Sequence, residues 1–271
     1  MTENDRVYDF VFGLGEACSC SDALRKADLQ IESYPMDWIF GASFMDRIQI
    51  VASDFKGFFE AKDLVFKGPN GKTDIYANKR NNLVFNHDFP MNVPFEDAYP
   101  AVREKYNRRI GRLLSNIRGA KRALAVYIET PTCPQKLTDV QILKQGREIL
   151  SKAFPDTVID LLYLSDCPGI PYEKREYVHV TPFITKINVH YKSLNAKEPD
   201  YAVNKAVLQK IFKQIKIRRS AKDWRKVHLT NAATKAVQLA SNFIFWDKKC
   251  RQSKRKLWTQ KVRNFIWKRS V

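Results

Sequence analysis

Residues 8–29, with the sequence YDFVFGLGEACSCSDALRKADL, combine an apolar run, a glycine turn and a helical pattern. The run through Phe12 is typical of a buried strand, and Gly13 and Gly15 are typical of the turn that follows it. After the turn, apolar residues recur at the spacing of one helix face, namely Cys20, Ala23, Leu24 and Ala27. The stretch therefore predicts a strand, a turn and a helix, which is a building unit of α/β folds.

Two cysteines lie where the turn meets the helix. Cys20 is in phase with the apolar face and is interpreted as core, whereas Cys18 lies about 200° away around the helix axis. Unpaired N–H groups and the helix dipole at a helix N-terminus lower the pKa of a thiol and favour the nucleophilic thiolate. Ser19 and Asp22 predict a capping box at this helix start. Cys18 is therefore a candidate nucleophile, while a small residue that fills the core remains the alternative.

Strand and helix patterns alternate through most of the first 201 residues. NNLVFNHDF (81–89) alternates as a strand does, residues 99–119 form a helical stripe that ends at Gly119, and residues 43–66 read as mostly helical. Residues 122–166 then read as strand, helix and strand, which predicts a parallel pair with a right-handed crossover. The predicted fold class is α/β, with a parallel or mixed sheet flanked by helices and a basic helical C-terminal extension.

The charge distribution divides the chain. Its net charge is +18, and residues 202–271 contain 20 basic and two acidic residues, so the whole excess lies in this part. We predict a boundary there, with an α/β domain at 1–201 and a basic amphipathic extension at 202–271.

Several classes of protein are not indicated by the composition. The five cysteines are scattered, no CxxC pair occurs, and the histidines do not stand at metal-ligand spacing. We therefore predict no disulfide framework, no metal site and no cofactor. Because no apolar run approaches the ~20 residues of a membrane span and the N-terminus lacks the pattern of a signal peptide, the expected compartment is the cytoplasm.

A cysteine nucleophile requires a base, and His87 is the first candidate. It stands in a predicted strand and is followed by the carboxylate of Asp88. Because its apolar neighbours at alternate positions share its predicted face, a core histidine remains the alternative. His179 and His190, which also lie in strand patterns, compete for the role of base.

Three blocks of sequence carry a resemblance to a known family. They are GLGEACSCSDALRKADLQIESYPMDWIFG (13–41), NHDFP (86–90) and KYNRRIGRL (105–113). In this order they resemble the successive blocks of a bacterial family of unknown function, DUF1796, which is described as papain-like cysteine peptidases. Several blocks in register are more specific than any one of them. The resemblance covers about half of the chain, and Met36 is an apolar exchange for the phenylalanine typical of the family.

The resemblance implies a papain-like cysteine hydrolase or acyl transferase that acts on a peptide or acyl substrate through a thioester. It implies Cys18 as the nucleophile and His87 as the general base. Asp37, within the YPMDWI block, is our first choice for the third catalytic residue, with Asp88 and Asp166 as the alternatives. A structural turn aspartate is an equally good interpretation of Asp37.

The third block of the resemblance contains two candidate substrate-binding residues, Arg108 and Arg109. Their guanidinium groups could bind a phosphate or carboxylate of the substrate. The alternative interpretation is the solvated face of an amphipathic helix.

Two other functions stay open. A serine-type esterase would use Ser19 or Ser21 after the same turn, although no Gly-x-Ser-x-Gly elbow occurs. A noncatalytic polyanion- or membrane-surface-binding protein would act through residues 202–271, where Trp258 and Phe265 stand among lysines and arginines. An anionic membrane surface, at the inner face of the membrane, is the partner expected for this extension, ahead of nucleic acid, because no nucleic-acid-binding motif accompanies the charge.

Overall fold

The computed structural model describes residues 6–129, 139–172, 174–191, 201–221, 223–225 and 227. It divides into two compact units, Met1–Arg218 and Arg219–Val271. The first unit continues past residue 201, where the sequence places the boundary, and the predicted extension at 202–271 stays a prediction. The amphipathic patterns expected after residue 227 lie outside the described residues.

Strands and helices alternate along the first unit, in agreement with the predicted fold class. The elements in chain order are β1 (Val7–Tyr8), β2 (Phe10–Gly15), α1 (Cys18–Lys26), β3 (Ile39–Gly41), α2 (Phe44–Ala52), β4 (Leu64–Asn70), β5 (Thr73–Asn78), β6 (Leu83–Pro90), α3 (Phe95–Gly119), β7 (Arg122–Ile128), α4 (Val140–Ala153), β8 (Val158–Asp166), β9 (Arg175–Thr181), β10 (Ile184–Val189), α5 (Tyr201–Phe212) and β11 (Lys216–Ile217).

A five-stranded mixed sheet forms the centre of the unit, with the order β2-β7-β8-β10-β9. The first four strands are parallel, and β9 pairs antiparallel with β10 at the edge. The predicted parallel pair is confirmed, since β7 and β8 are parallel neighbours with α4 between them in the chain. Strands buried on both faces are apolar almost throughout, which is why β2, β7 and β8 read as continuous hydrophobic runs.

Helices cover both faces of the central sheet. On one face, apolar residues of α2, α3 and α4 pack with the side chains of Phe12 and Tyr127. On the other face, Leu24 of α1 and Ile211 of α5 pack with residues that include Val126. Both faces therefore carry apolar packing, and the loops at the carboxyl ends of the parallel strands are free to carry polar side chains.

A second, antiparallel sheet has the order β3-β6-β5-β4. It corrects the prediction that residues 43–66 are mostly helical, because α2 ends at Ala52 and β4 begins at Leu64. Asp54 and Phe55 both have a positive φ, which an L-residue does not adopt inside a helix. The chain then turns and pairs with β5 instead of continuing the helix.

Two smaller differences concern element boundaries. The first predicted strand is broken at Asp9, whose carboxylate accepts the N–H groups of Lys121 and Arg122 and so interrupts the strand. Helix α3 begins at Phe95, with Pro100 inside it, whereas the sequence places its start near Tyr99.

Within the described residues, no helix combines the length and the apolar character needed to cross a membrane.

Candidate active site

The candidate nucleophile, Cys18, is the first residue of α1 and follows the turn at the carboxyl end of β2. Ala17 is the N-cap and provides no side-chain hydrogen bond to the helix. The predicted capping box of Ser19 and Asp22 is therefore wrong, because the helix begins before Ser19. As a result, α1 begins at the half-buried thiol without a side-chain cap, and a helix N-terminus favours an anion at this position.

The candidate base, His87, is exposed because of a bulge in β6. Asp74 pairs with Phe89 and Tyr76 pairs with Phe85, so three residues of β6 lie opposite Ile75 alone. Strict alternation would bury His87 between Phe85 and Phe89, but the bulge turns its ring outward. The interpretation of His87 as a core histidine is therefore wrong.

The bulge itself is held by a side chain of the neighbouring strand. The hydroxyl of Thr73 donates a 2.6 Å hydrogen bond to the carbonyl oxygen of Asn86. This bond fixes the backbone immediately before His87, so the imidazole is presented from a defined position of the sheet.

The structure brings the two candidates together. Cys18 Sγ lies 3.8 Å from His87 Nε2, which is within reach of a sulfur hydrogen bond. The ring of His87 also packs against Phe40, with 6.4 Å between the ring centroids. A thiol beside an imidazole at a helix N-terminus can form the thiolate–imidazolium pair on which cysteine nucleophiles depend.

A buried arginine, Arg47, is hydrogen-bonded both to the segment before Cys18 and to the sheet that carries His87. Its guanidinium donates hydrogen bonds of 2.7 Å to the Leu14 carbonyl at the end of β2 and of 2.8 Å to the Glu16 carbonyl in the turn before Cys18. The same group donates to the carbonyls of Ile39 (3.2 Å) and Gly41 (2.7 Å) in β3. Because β3 pairs with β6, Arg47 connects the turn that carries the thiol to the sheet that carries the imidazole.

Gly15 allows the close approach of Arg47. Its φ is +96°, and a Cβ atom at this position would lie 2.3 Å from Arg47 Nη1. The glycine turn that the sequence predicts is thus required for two reasons, its backbone conformation and the space that the guanidinium occupies.

The other side chains at the start of α1 are not placed as nucleophiles. Cys20 is fully buried, its thiol donates to the Val126 carbonyl, and burial raises its pKa to about 12. This confirms the interpretation of Cys20 as core. Ser19 is buried, with no hydrogen-bond partner for its hydroxyl, and Ser21 accepts a 3.5 Å bond from Arg25. The geometry therefore favours Cys18 over either serine.

Asp37 is buried within a different group of contacts. Its Oδ2 accepts hydrogen bonds from the backbone of Tyr34 (2.8 Å) and from Gln30 (2.7 Å), and it pairs with Arg25 at 3.4 Å. Burial raises the pKa of the carboxyl, while these donors oppose the change. Its Oδ1 is buried without a hydrogen-bond partner, and the role of Asp37 as third catalytic residue stays a prediction.

The alternative aspartates also have partners of their own. Asp88 is buried, whereas His87 is exposed, and it accepts bonds from Lys105 (2.5 Å) and Tyr106 (2.7 Å) of α3. Asp166 accepts a 3.3 Å bond from the backbone of Tyr191. In the described part of the chain, no carboxylate is hydrogen-bonded to His87. Of the predicted catalytic residues, the structure therefore brings together Cys18 and His87, and this pair is called the dyad below.

The two arginines proposed for substrate binding lie on α3. Arg108 is exposed and forms an ion pair with Glu104, and the Arg109 guanidinium lies 5.7 Å from the ring centroid of Tyr106. Tyr106 in turn donates to Asp88, the residue next to His87. These contacts leave the substrate-binding role of both arginines a prediction.

Arg47 is the residue of the site that the sequence analysis missed. A signal was available, because Arg47 occupies the apolar stripe of α2 together with Phe44, Ile48 and Val51, all of which are buried. A charged residue on the buried face of a helix needs partners, and the carbonyl oxygens of turns supply them here.

Within the described residues, no group of three or more His, Cys, Asp or Glu side chains could hold a metal ion.

Comparison with known proteins identifies the family of the chain. A family model described as "Putative papain-like cysteine peptidase (DUF1796)" matches residues 9–155, which include Cys18, Arg47 and His87. The chain belongs to this family. It is also similar to an uncharacterized protein of Acanthamoeba polyphaga mimivirus, at 28% identity over 177 residues that cover 59% of this chain and 77% of that protein. No solved structure matches the chain.

The family model covers the elements from β2 to α4 and so contains both halves of the dyad. The similar protein is viral, and the bacterial origin that the resemblance implies stays a prediction. Membership in DUF1796 supports a papain-like cysteine peptidase at the level of the family.

Proposed function

We propose that this DUF1796 protein is a cysteine hydrolase or acyl transferase in which Cys18 is the nucleophile and His87 the general base. The 3.8 Å separation between Cys18 Sγ and His87 Nε2 is the observation that carries the proposal. The uncapped start of α1 adds to it, since the helix dipole favours both the thiolate and a developing oxyanion.

In the proposed reaction, the Cys18 thiolate attacks the carbonyl carbon of a peptide or acyl substrate. The negative charge moves to the carbonyl oxygen, which backbone N–H groups at the start of α1 would stabilise. His87 then gives its proton to the leaving amine or alcohol, which leaves a thioester on Cys18. Water, or an acceptor nucleophile, attacks the thioester with His87 as the base and restores the thiol.

The remaining site residues have positioning or binding roles in this proposal. Asp37 pairs with Arg25 in the last turn of α1 and accepts the backbone N–H of Tyr34, so it supports the C-terminal end of the helix that carries the thiol. Arg108 and Arg109 remain the proposed binders of an anionic group of the substrate. Both roles depend on the proposed Cys18–His87 dyad, so evidence against the dyad would also be evidence against them.

The test of the proposal is the identity of the modified thiol. We expect limiting iodoacetamide at neutral pH to alkylate Cys18 before Cys133 and Cys250, and p-nitrophenyl acetate to leave an acetyl group on Cys18. Cys20 is expected to react with neither reagent because burial raises its pKa to about 12. Intact-mass measurement followed by peptide mapping identifies the modified residue.

Two variants make this experiment specific. Cys18→Ala is expected to remove the acetyl adduct, whereas Cys167→Ala, which removes another half-buried free cysteine, is expected to retain it. Alkylation of Cys133 or Cys250 ahead of Cys18 would contradict the assignment of the nucleophile. A panel of peptide substrates then distinguishes a peptidase from an acyl transferase.

We also propose that residues 202–271 attach the protein to an anionic membrane surface, and the charge distribution supports this. The whole net charge of +18 lies in this part, and Trp258 and Phe265 stand among its basic residues. Each basic residue near anionic lipid contributes about 1 kcal/mol, and buried aromatic rings add to the binding. Nucleic acid is the competing partner because the same charge attracts it.

Liposome flotation at physiological salt tests this attachment. We expect the full chain to float with anionic vesicles and not with zwitterionic ones, and the variant Lys261→Glu/Arg263→Glu to bind several-fold more weakly because two cations become anions. A matched variant in the first unit, with the exposed residues changed as Lys62→Glu/Lys67→Glu, is expected to bind as the wild type does. Binding that ignores lipid charge would refute the proposal, and tight salt-dependent binding to RNA or DNA would favour nucleic acid.

A further inference from the structure

A cavity of about 440 Å³ lies away from the dyad, in the first unit. None of its lining residues belongs to the turn before α1 or to β6. The walls come from the neighbouring strands β8, β9 and β10 and from the segment that ends α5. A volume of this size is in the range of cavities that bind small molecules.

The floor of the cavity is apolar. Leu124, Leu162 and Ile187 project from the face of the central sheet that α1 and α5 cover, and Ile211 and Ile215 form the opposite wall. The hydroxyl of Tyr177 donates a 3.4 Å hydrogen bond to Gln214, which links β9 to the residues after α5 above this floor. An apolar body with little hydrogen-bonding capacity therefore matches the middle of the cavity.

The cavity is elongated along the strands. Its lining residues in β9 include His179, which pairs with Thr185, and Arg175, which pairs with Val189 at the other end of β10. Four residue steps of a strand correspond to about 13 Å. The cavity can therefore accept an extended molecule that lies along β9 and β10.

The charged groups of the lining lie at its two ends. At one end, the carboxylate of Asp160 is fully engaged by Tyr8 (2.9 Å) and by two 3.0 Å bonds from Arg122, with Arg6 at 3.6 Å. At the other end, Arg175 has no ion-pair partner in the part of the chain that the structure describes. Among the described lining residues, Asp160 is the one carboxylate and it already faces two arginines, so the guanidinium of Arg175 is available to an anion.

We propose that this cavity binds an unbranched alkyl carboxylate of medium length, with its carboxylate on Arg175 and its chain over Leu162 and Ile187. A planar guanidinium binds a carboxylate through two parallel hydrogen bonds, and one cation matches one negative charge. The alkyl chain would be removed from water by the apolar floor and the wall of α5. This site is independent of the thiol chemistry proposed for Cys18.

Calorimetric titration of the full chain with decanoate, decanol and decylamine tests the proposal. Decanoate is expected to bind at least about tenfold more tightly than decanol, because a hydrogen-bonded charge pair is lost with the alcohol, and decylamine is expected not to bind. Arg175→Gln is expected to bring decanoate to the affinity of decanol. Arg118→Gln, which removes an exposed arginine of α3, is the matched control and should leave the affinity unchanged.

Two further measurements locate the ligand. Ile215→Trp places a large side chain into the cavity and is expected to abolish binding of decanoate without changing the rate at which iodoacetamide alkylates Cys18. Saturating decanoate is likewise expected to leave that alkylation rate unchanged in the wild type. Equal affinity for decanoate and decanol, unchanged binding in Arg175→Gln or Ile215→Trp, or protection of Cys18 by decanoate would each overturn the proposal.

Discussion

Replacement of His87 by alanine is expected to slow acetylation of Cys18 by p-nitrophenyl acetate by about 10²–10⁴-fold, the usual contribution of a general base. The reason is that the imidazole, 3.8 Å from the sulfur, is the group placed to accept the thiol proton. Because His87 is exposed, the free energy of unfolding is expected to change by no more than about 0.5 kcal/mol. The acetylation rate and a urea titration, measured on the same preparation, check both expectations.

The matched control is His179→Ala, which removes another exposed histidine from a strand. Its acetylation rate is expected to equal that of the wild type. The double variant Cys18→Ala/His87→Ala is expected to show the same residual reaction with p-nitrophenyl acetate as Cys18→Ala. Once the thiol is removed, loss of the imidazole has no further effect, because the two residues act as one unit. Equal losses in His87→Ala and His179→Ala, or a fully retained rate in His87→Ala, would rule out the dyad.

Replacement of Arg47 by leucine is expected to lower the free energy of unfolding by about 3–5 kcal/mol, a large part of the stability of a typical domain. The side chain is fully buried, and its loss leaves the carbonyls of Leu14, Glu16, Ile39 and Gly41 without this donor. The expected size is that of removing one partner from a buried, hydrogen-bonded charged contact, about 3–5 kcal/mol. The measurement is the midpoint of urea unfolding at constant slope.

Arg47→Lys tests positioning separately from stability. Lysine keeps the charge, but its single ammonium cannot reach carbonyls on both the turn and β3 with the fork of a guanidinium. We expect this variant to fold, with a loss of about 1–3 kcal/mol for the unsatisfied acceptors. Its kcat with p-nitrophenyl acetate is expected to fall while KM stays close to the wild-type value, because the thiol and the imidazole are held less firmly beside each other. Wild-type kcat in Arg47→Lys would show that Arg47 supports the fold alone.

The alternation of apolar runs and helical stripes was sufficient to predict the central sheet. Strands such as β7 and β8 are buried on both faces, so their sequence carries a strong local signal. The second sheet was harder to predict because β4 is largely exposed and is held by its pairing with β5, which depends on residues further along the chain. Tertiary pairing, rather than local propensity, decides this part of the fold.

The candidate site shows the same division between local and distant causes. Cys18 could be selected from its place at a helix start, which a glycine turn and a helical pattern define locally. The outward direction of His87 could not be predicted, because it depends on a bulge that the register between β5 and β6 creates. The place of Arg47 on the apolar stripe of α2 indicated that it needs partners, but the partners themselves could not be predicted, because they are carbonyl oxygens, which every residue has.

The segments that Arg47 links are completed at different times as the chain is synthesised. Cys18 leaves the ribosome early, but β2, which precedes it, pairs with β7, and β7 ends only at Ile128. The segment from Leu14 to Glu16 therefore gains its neighbour β7 only after Arg47 and His87 have been added to the chain. Under the proposed function, Cys18 and His87 therefore share their final surroundings only after the central sheet has gained β7.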